Sequence, residues 1–195
     1  MKTLIVIRHG MTLANKEGRY CGHLDLPLIE EGRDVLEETK GYLQKENVSR
    51  IISSPLARAA ETSRFLFPEK EVFLEDKLKE INFGLFEGLS YSEIRNRYPE
   101  EQKAWGDDFL NYNFPEGESF NGFHKRIGEY VSQFLDDYLN TEDETIALCT
   151  HLGVIQCLLI HILKLDNSML WRFKVSNGRF MKVGFDSSGY GYLIW

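Results

Sequence analysis

The sequence predicts an α/β fold built on a mainly parallel sheet, and three observations predict it. Short, β-branched apolar runs at residues 2–7, 50–53 and 145–150 alternate with longer segments of helical periodicity. Within these runs apolar residues are continuous rather than alternate, as in strands covered on both faces. No internal repeat, low-complexity tract or linker divides the 195 residues, so residues 1–195 are expected to form a single domain.

Taken in order, residues 2–7 (KTLIVI) form a buried strand that stops at Arg8-His9-Gly10. Residues 30–44 mix charges with leucines as a surface helix does, and Pro27 lies just upstream. Arg50–Ser53 (RIIS) is a second strand broken by Ser54-Pro55, residues 57–67 a helix, and Val72–Leu74 a third strand. Residues 119–139 give the clearest helix, with Phe120, Phe123, Ile127, Val131, Phe134, Leu135 and Tyr138 on one face. Ser119 is its N-cap. Thr145–Thr150 (TIALCT) is a fourth buried strand, followed by an apolar helix over 152–163. Phe180–Phe185 and residues 190–195 are expected as closing strands.

Charge and composition narrow the function classes. Lys and Arg number 23 against 30 Asp and Glu, a net charge of −7 that argues against a dedicated nucleic-acid or anionic-membrane binder. No apolar run approaches the ~20 residues of a membrane span. The stretch from Leu4 to Ile7 is too short for a signal peptide and runs into Arg8. Cys21, Cys149 and Cys157 form no CxxC pair, so neither a disulfide framework nor a zinc site is expected, and the last two read as buried thiols. These features together suggest a cytoplasmic protein.

The segment from Glu80 to Glu118 differs from the rest. It holds nine acidic side chains against three basic, a net −6, together with eight aromatics. One reading is a solvated helical face with its aromatics in the core; the other is a cover over a site.

Parallel α/β sheets place ligands at the carboxyl ends of their strands. Here His9 follows the first strand, His151 follows TIALCT, and the end of RIIS leads to Arg58. A lone histidine is more often structural, but two at strand ends with Arg8 and Arg58 suit a phosphoryl group. Arginine forks match phosphoryl oxygens. A neutral imidazole can attack phosphorus without a metal. A second, protonated histidine could share the developing charge, and a carboxylic acid would protonate the leaving oxygen. Glu80, in LKEINFGLFEG, is a candidate that spacing alone does not select from thirty acidic residues. The chain lacks a GxxxxGK[ST] loop, a cysteine with arginine six positions on, a DxD pair after a strand, an HExxH cluster and a GxGxxG turn.

Arg8-His9-Gly10-Met11-Thr12 resembles the RHGxT signature of the histidine phosphatase (phosphoglycerate mutase-like) superfamily. The likeness continues through Asn15, Ser53 to Ala59, Glu61-Thr62, Glu80, Phe83-Gly84, Glu87-Gly88 and Thr150 to Gly153, in order along nearly the whole chain. It implies a three-layer α/β/α sandwich with an inserted helical cap, placed at about residues 85–118. It further implies that His9 becomes phosphohistidine and that Arg8, Arg58 and His151 hold the phosphoryl group. Asn15 would line the same pocket, Glu80 would serve as proton donor and later base, and no metal or other cofactor is implied. Met11 and Leu152 depart from the family pattern without removing a group of chemical role.

Within that family, Tyr20-Cys21-Gly22-His23, Pro27-Leu28, Gly117 to Phe120 and Met169 to Phe173 resemble α-ribazole phosphatases and related small-molecule phosphatases. Cys21 and Gly22 are then expected beside the substrate, Cys21 through its backbone. The expectation is a small phosphate ester as partner, with a phosphomonoesterase of broad specificity or a mutase as alternatives. A binding module with a dead site fits poorly, since Arg8, His9, Arg58, Glu80 and His151 are all present. His124 and His161 fall on helices and read as structural, and His23 is expected either near the pocket mouth, as the resemblance implies, or equally in a surface or turn role.

Overall fold

The apolar runs become a single sheet in the computed structural model, which describes residues 2–142 and 144–194. Six strands take part: β1 (Lys2–Arg8), β2 (Arg50–Ser53), β3 (Val72–Leu74), β4 (Thr145–Thr150), β5 (Phe180–Phe185) and β6 (Gly191–Ile194). Their order is β3-β2-β4-β1-β5-β6. β1 to β4 run parallel, whereas β5 returns antiparallel to β1 and β6 antiparallel to β5. The strand expected over 190–195 is therefore Gly191–Ile194, and residue 195 lies outside the described residues.

Alternation along β1 builds the layers. Leu4 and Val6 belong to one buried cluster, Ile5 and Ile7 to the other, each fully buried. Helices α2 (Glu30–Leu43) and α3 (Ala57–Leu66) cover the Ile5 face, with Leu36, Leu43, Ala59 and Leu66 in its cluster. Helices α6 (Phe120–Leu139) and α7 (Leu152–Ile162) cover the Leu4 face. α6 begins where Ser119 accepts a bond from the Gly122 amide, as its sequence predicts. Its buried face adds Tyr130 to the expected set and leaves Leu135 only partly covered. The three-layer α/β/α sandwich is thus present.

The other helices are short. α1 (Leu13–Lys16) is closed by a capping box in which Thr12 and Asn15 exchange bonds. α4 (Tyr91–Arg97), with its own Ser90–Glu93 capping box, and α5 (Pro99–Asp107), opened by proline, lie within the acidic segment. Phe86 and Phe114 of that segment are buried in the Leu4-side core, and Trp105 and Phe109 pack against it. Among the described residues no helix is long and apolar enough to cross a membrane. Cys149 and Cys157 are fully buried free thiols.

Candidate active site

The parallel register assembles the site. Arg8 on β1 pairs with Thr150 on β4, and Ser53 on β2 pairs with Cys149, so the three strands end side by side. The residues that follow, His9, Ser54 and His151, emerge at one edge. His9 and Ser54 donate backbone bonds of 2.9 Å to the Thr150 and Cys149 carbonyls.

His9 is 4% exposed, and its Nδ1 lies 2.6 Å from the Gly10 carbonyl oxygen. A carbonyl only accepts, so Nδ1 carries the proton and Nε2 keeps its lone pair. Burial, and then the charges of Arg58 and Arg8, hold its pKa well below the usual 6.5, so the ring is neutral at pH 7. Asn177 spans the Gly10 and His9 carbonyls at 3.3 Å each, and the Gly10 amide donates to Thr62 Oγ1 at 3.0 Å. The His9 backbone is thereby fixed on both sides.

His151 lies against it, with ring centroids 5.1 Å apart. Arg58 Nε donates to His151 Nδ1 at 3.2 Å, and His151 Nε2 stands 2.9 Å from Ser54 Oγ. With Nδ1 accepting, the ring is neutral and gives its Nε2 proton to Ser54. The sequence reading expected a protonated His151; burial and the Arg58 charge instead hold its pKa well below 6.5. The rest of the Arg58 guanidinium donates to the carbonyls of Gly22 (2.7 Å), Cys21 (3.3 Å) and Leu24 (2.9 Å). It ties the loop after Tyr20 to His151.

The same loop is held from its other side by Glu87. The carboxylate accepts the amides of Gly22 (2.9 Å), His23 (2.8 Å), Leu24 (3.1 Å) and Phe83 (3.0 Å). A Cβ at Gly22 would collide with the Ile81 carbonyl, which is why only glycine fits there. Glu87→Ala leaves four amides unmet and is expected to cost about 2–3 kcal/mol. A melting curve should show a fall of several degrees. KM should rise, because Arg58 loses its anchored carbonyls.

Arg8, His9, Asn15, Cys21 and Glu80 form the polar part of a cavity of about 480 Å³. Arg8 donates to the Val175 carbonyl at 2.7 Å through Nη1, while its buried Nε has no partner among the described residues. Asn15 Oδ1 already accepts from Thr12 and from Asn177 Nδ2, which leaves its Nδ2 as the free donor. Of the expected site residues, Arg58, His151 and Gly22 stand behind this wall rather than in it. Gly22 contributes through the Arg58 and Glu87 bonds, its amide being taken by Glu87.

Glu80 sits where α7 begins. Its Oε2 accepts the Gly153 amide at 3.0 Å and its Oε1 the Ile81 amide at 3.0 Å. Burial raises its pKa above the usual 4.5, against the opposing pull of those amides and of Arg58 and Arg8. Gly153 is part of this fit: a Cβ there would lie 2.5 Å from Glu80 Oε1. Gly153→Ala favours the helix by up to about 1 kcal/mol, so its melting temperature should not fall. Turnover of esters with poor leaving groups should still drop by tenfold or more, on the order expected when an acid is displaced by ~1 Å.

The remainder of the wall is aromatic. Tyr20, Phe83, Trp105 and Phe114 make edge contacts at 5.1–5.4 Å on one side. Phe109, Phe120, Phe123 and Trp171 line another, with Leu152 and Gln156 of α7. The acidic segment therefore does both things its composition allowed: it fills core and it borders the cavity. His23 is exposed and outside the wall. His124 and His161 stack on each other at 4.5 Å between α6 and α7, also outside it. Sequence reasoning gave no role to Ser54, Thr62, Gln156 and Asn177. Ser54 and Thr62 lie inside the quoted motif, whereas nothing local marks Gln156 or Asn177.

A family model described as "Histidine phosphatase superfamily (branch 1)" matches residues 4–195. An adenosylcobalamin/α-ribazole phosphatase of Salmonella typhimurium is 29% identical over 177 residues, 90% of this chain and 86% of that one. Phosphoserine phosphatase 1 of Hydrogenobacter thermophilus is also 29% identical, over 185 residues, 94% of this chain and 86% of that one. The crystal structure of the α-ribazole phosphatase from Shigella flexneri superposes with a TM-score of 0.92 at 25% identity, covering 98% of this chain and 94% of that one.

Proposed function

The chain belongs to the histidine phosphatase superfamily and is a phosphoric monoester hydrolase; from that premise we propose that it hydrolyses α-ribazole 5′-phosphate or a closely similar ester through a phosphohistidine on His9, without a metal. His9 Nε2 attacks phosphorus as the bond to the ester oxygen breaks, and Glu80 passes its proton to that oxygen. Water then attacks the phosphohistidine, Glu80 takes a proton back, and phosphate leaves. Arg8 and Asn15 meet the phosphoryl oxygens at the wall, while Arg58 and His151 lie behind it and act through charge, His151 the more so once the incoming negative charge raises its pKa. We place the enzyme in the cytoplasm, in keeping with its three free cysteines. We also treat residues 1–195 as a single domain with a cap at about 85–118.

The choice of leaving group rests on the aromatic wall. Phosphoserine and 3-phosphoglycerate carry a carboxylate beyond the ester oxygen, which calls for a cation there. The wall offers Arg8, beside His9, and Arg19, already bonded to Glu17 (2.6 Å) and Glu93 (2.7 Å). A ring meets aromatic faces on both sides instead.

Phosphate release in EDTA from α-ribazole 5′-phosphate, mononucleotides, sugar phosphates, phosphoserine and 3-phosphoglycerate tests the reading. The expected result is a kcat/KM for α-ribazole 5′-phosphate well above the rest. Uniform slow rates would make it a broad-specificity phosphatase. Isomerisation of 3-phosphoglycerate upon addition of a bisphosphate primer, with no release, would make it a mutase.

A further inference from the structure

One polar side chain in the cavity wall has no part in the phosphoryl chemistry. Gln156 is 4% exposed and borders the cavity where its neighbours are Leu152, Phe120 and Trp171. It lies on α7 three and four residues after Gly153 and Leu152, hence on the same helix face and about 5 Å farther along the axis. Glu80 is held at Gly153, so the atoms beyond the departing oxygen lie toward Gln156.

The amide is oriented. Gln156 Nε2 donates to the Phe173 carbonyl at 2.8 Å, which leaves the acceptor of the amide, Oε1, for the cavity that the residue lines. In the same wall, Trp171 meets Phe109 edge-on at 5.5 Å and lies tilted against Phe120 at 6.3 Å, so an aromatic surface is available to a ring.

We propose that Gln156 sets substrate choice: its Oε1 accepts a hydrogen bond from a hydroxyl of the departing alcohol while the ring of that alcohol lies against Trp171 and Phe109. A hydroxyl a few bonds from the ester oxygen reaches Oε1, and an aryl phosphate without one leaves it unmet. The inference rests on the phosphatase reading above and deepens it.

Three esters test it on the wild type and on Gln156→Leu: a nucleoside 5′-monophosphate, its 2′,3′-dideoxy counterpart and p-nitrophenyl phosphate. The wild type should favour the hydroxyl-bearing nucleotide over its dideoxy counterpart by about fivefold to tenfold in kcat/KM, mostly through KM. Gln156→Leu should erase that preference, read as the ratio of kcat/KM between the two nucleotides within the variant. The wild-type pair needs no variant, so poor folding of Gln156→Leu does not blunt the test. Equal wild-type rates on the two nucleotides, or a uniform loss on all three esters in the variant, would overturn the role of Gln156 and leave the phosphatase reading standing. Absence of phosphate release from every ester would overturn both.

Discussion

Replacing His9 with alanine is expected to remove phosphate release from every ester, a loss on the order of 10⁴-fold or more, as for other nucleophile deletions. The site shows why no neighbour substitutes. The only other imidazole at the strand ends, His151, has Nδ1 taken by Arg58 and Nε2 by Ser54. His9 alone has its Nδ1 proton held by a carbonyl and a free Nε2 lone pair in the cavity wall. The prediction has a second readout. Rapid quench with a radiolabelled ester should leave an acid-labile, base-stable phosphate on the wild type and none on His9→Ala. The fold should survive, because the imidazole is tied only to the adjacent Gly10 carbonyl, and an unchanged circular-dichroism spectrum checks that. Turnover at wild-type rate in the variant would end the phosphohistidine mechanism.

The sheet was legible because β1, β2 and β4 are short, continuous apolar runs with buried interiors, whereas the edge strand β3, with Phe73 and Leu74 exposed, was read from its apolar residues alone. The site was legible for a related reason. A parallel register delivers the residue after each strand to one edge, so Arg8-His9 and Thr150-His151 announce a shared position before any contact is known. What the sequence hid depends on distance along the chain. Glu87 lies in the quoted motif, but the loop it organises is more than sixty residues earlier, and Asn177 fastens Asn15 and His9 from the turn that leads into β5. Asn177 is an ordinary polar residue in a loop, with nothing local to mark it. The neutral state of His151 was out of reach for the same reason, since it follows from where Arg58 aims its Nε–H. Helices α4 and α5 were expected only as an undivided helical cap, because seven and nine residues give too few turns for an apolar stripe to mark their bounds.

The second large effect belongs to Glu80. Glu80→Gln keeps the shape of the side chain but can accept from only one of the Ile81 and Gly153 amides, and it carries no acidic proton. For esters of poor leaving groups kcat/KM should fall by about 10² to 10⁴, the usual worth of a general acid. For p-nitrophenyl phosphate, whose leaving oxygen needs no proton, the first step should change little. Return of the proton from water now fails, so a burst of nitrophenolate equal to the enzyme should precede a slow steady state. The pH profile carries the same assignment. His9 must be neutral to attack, and its pKa lies well below 6.5, so the acid limb is set at low pH. Glu80 must be protonated to give its proton, and burial raises its pKa from 4.5, so the alkaline limb extends upward but stays tied to a carboxylic acid. With alkyl esters the kcat/KM optimum should therefore lie on the acid side of neutrality, and Glu80→Gln should erase the alkaline limb while leaving the acid limb in place. If the alkaline limb persists in Glu80→Gln, the proton comes from elsewhere. Glu80 is the one carboxylate in the cavity wall among the described residues, so the source would then be Tyr20, Cys21 or water.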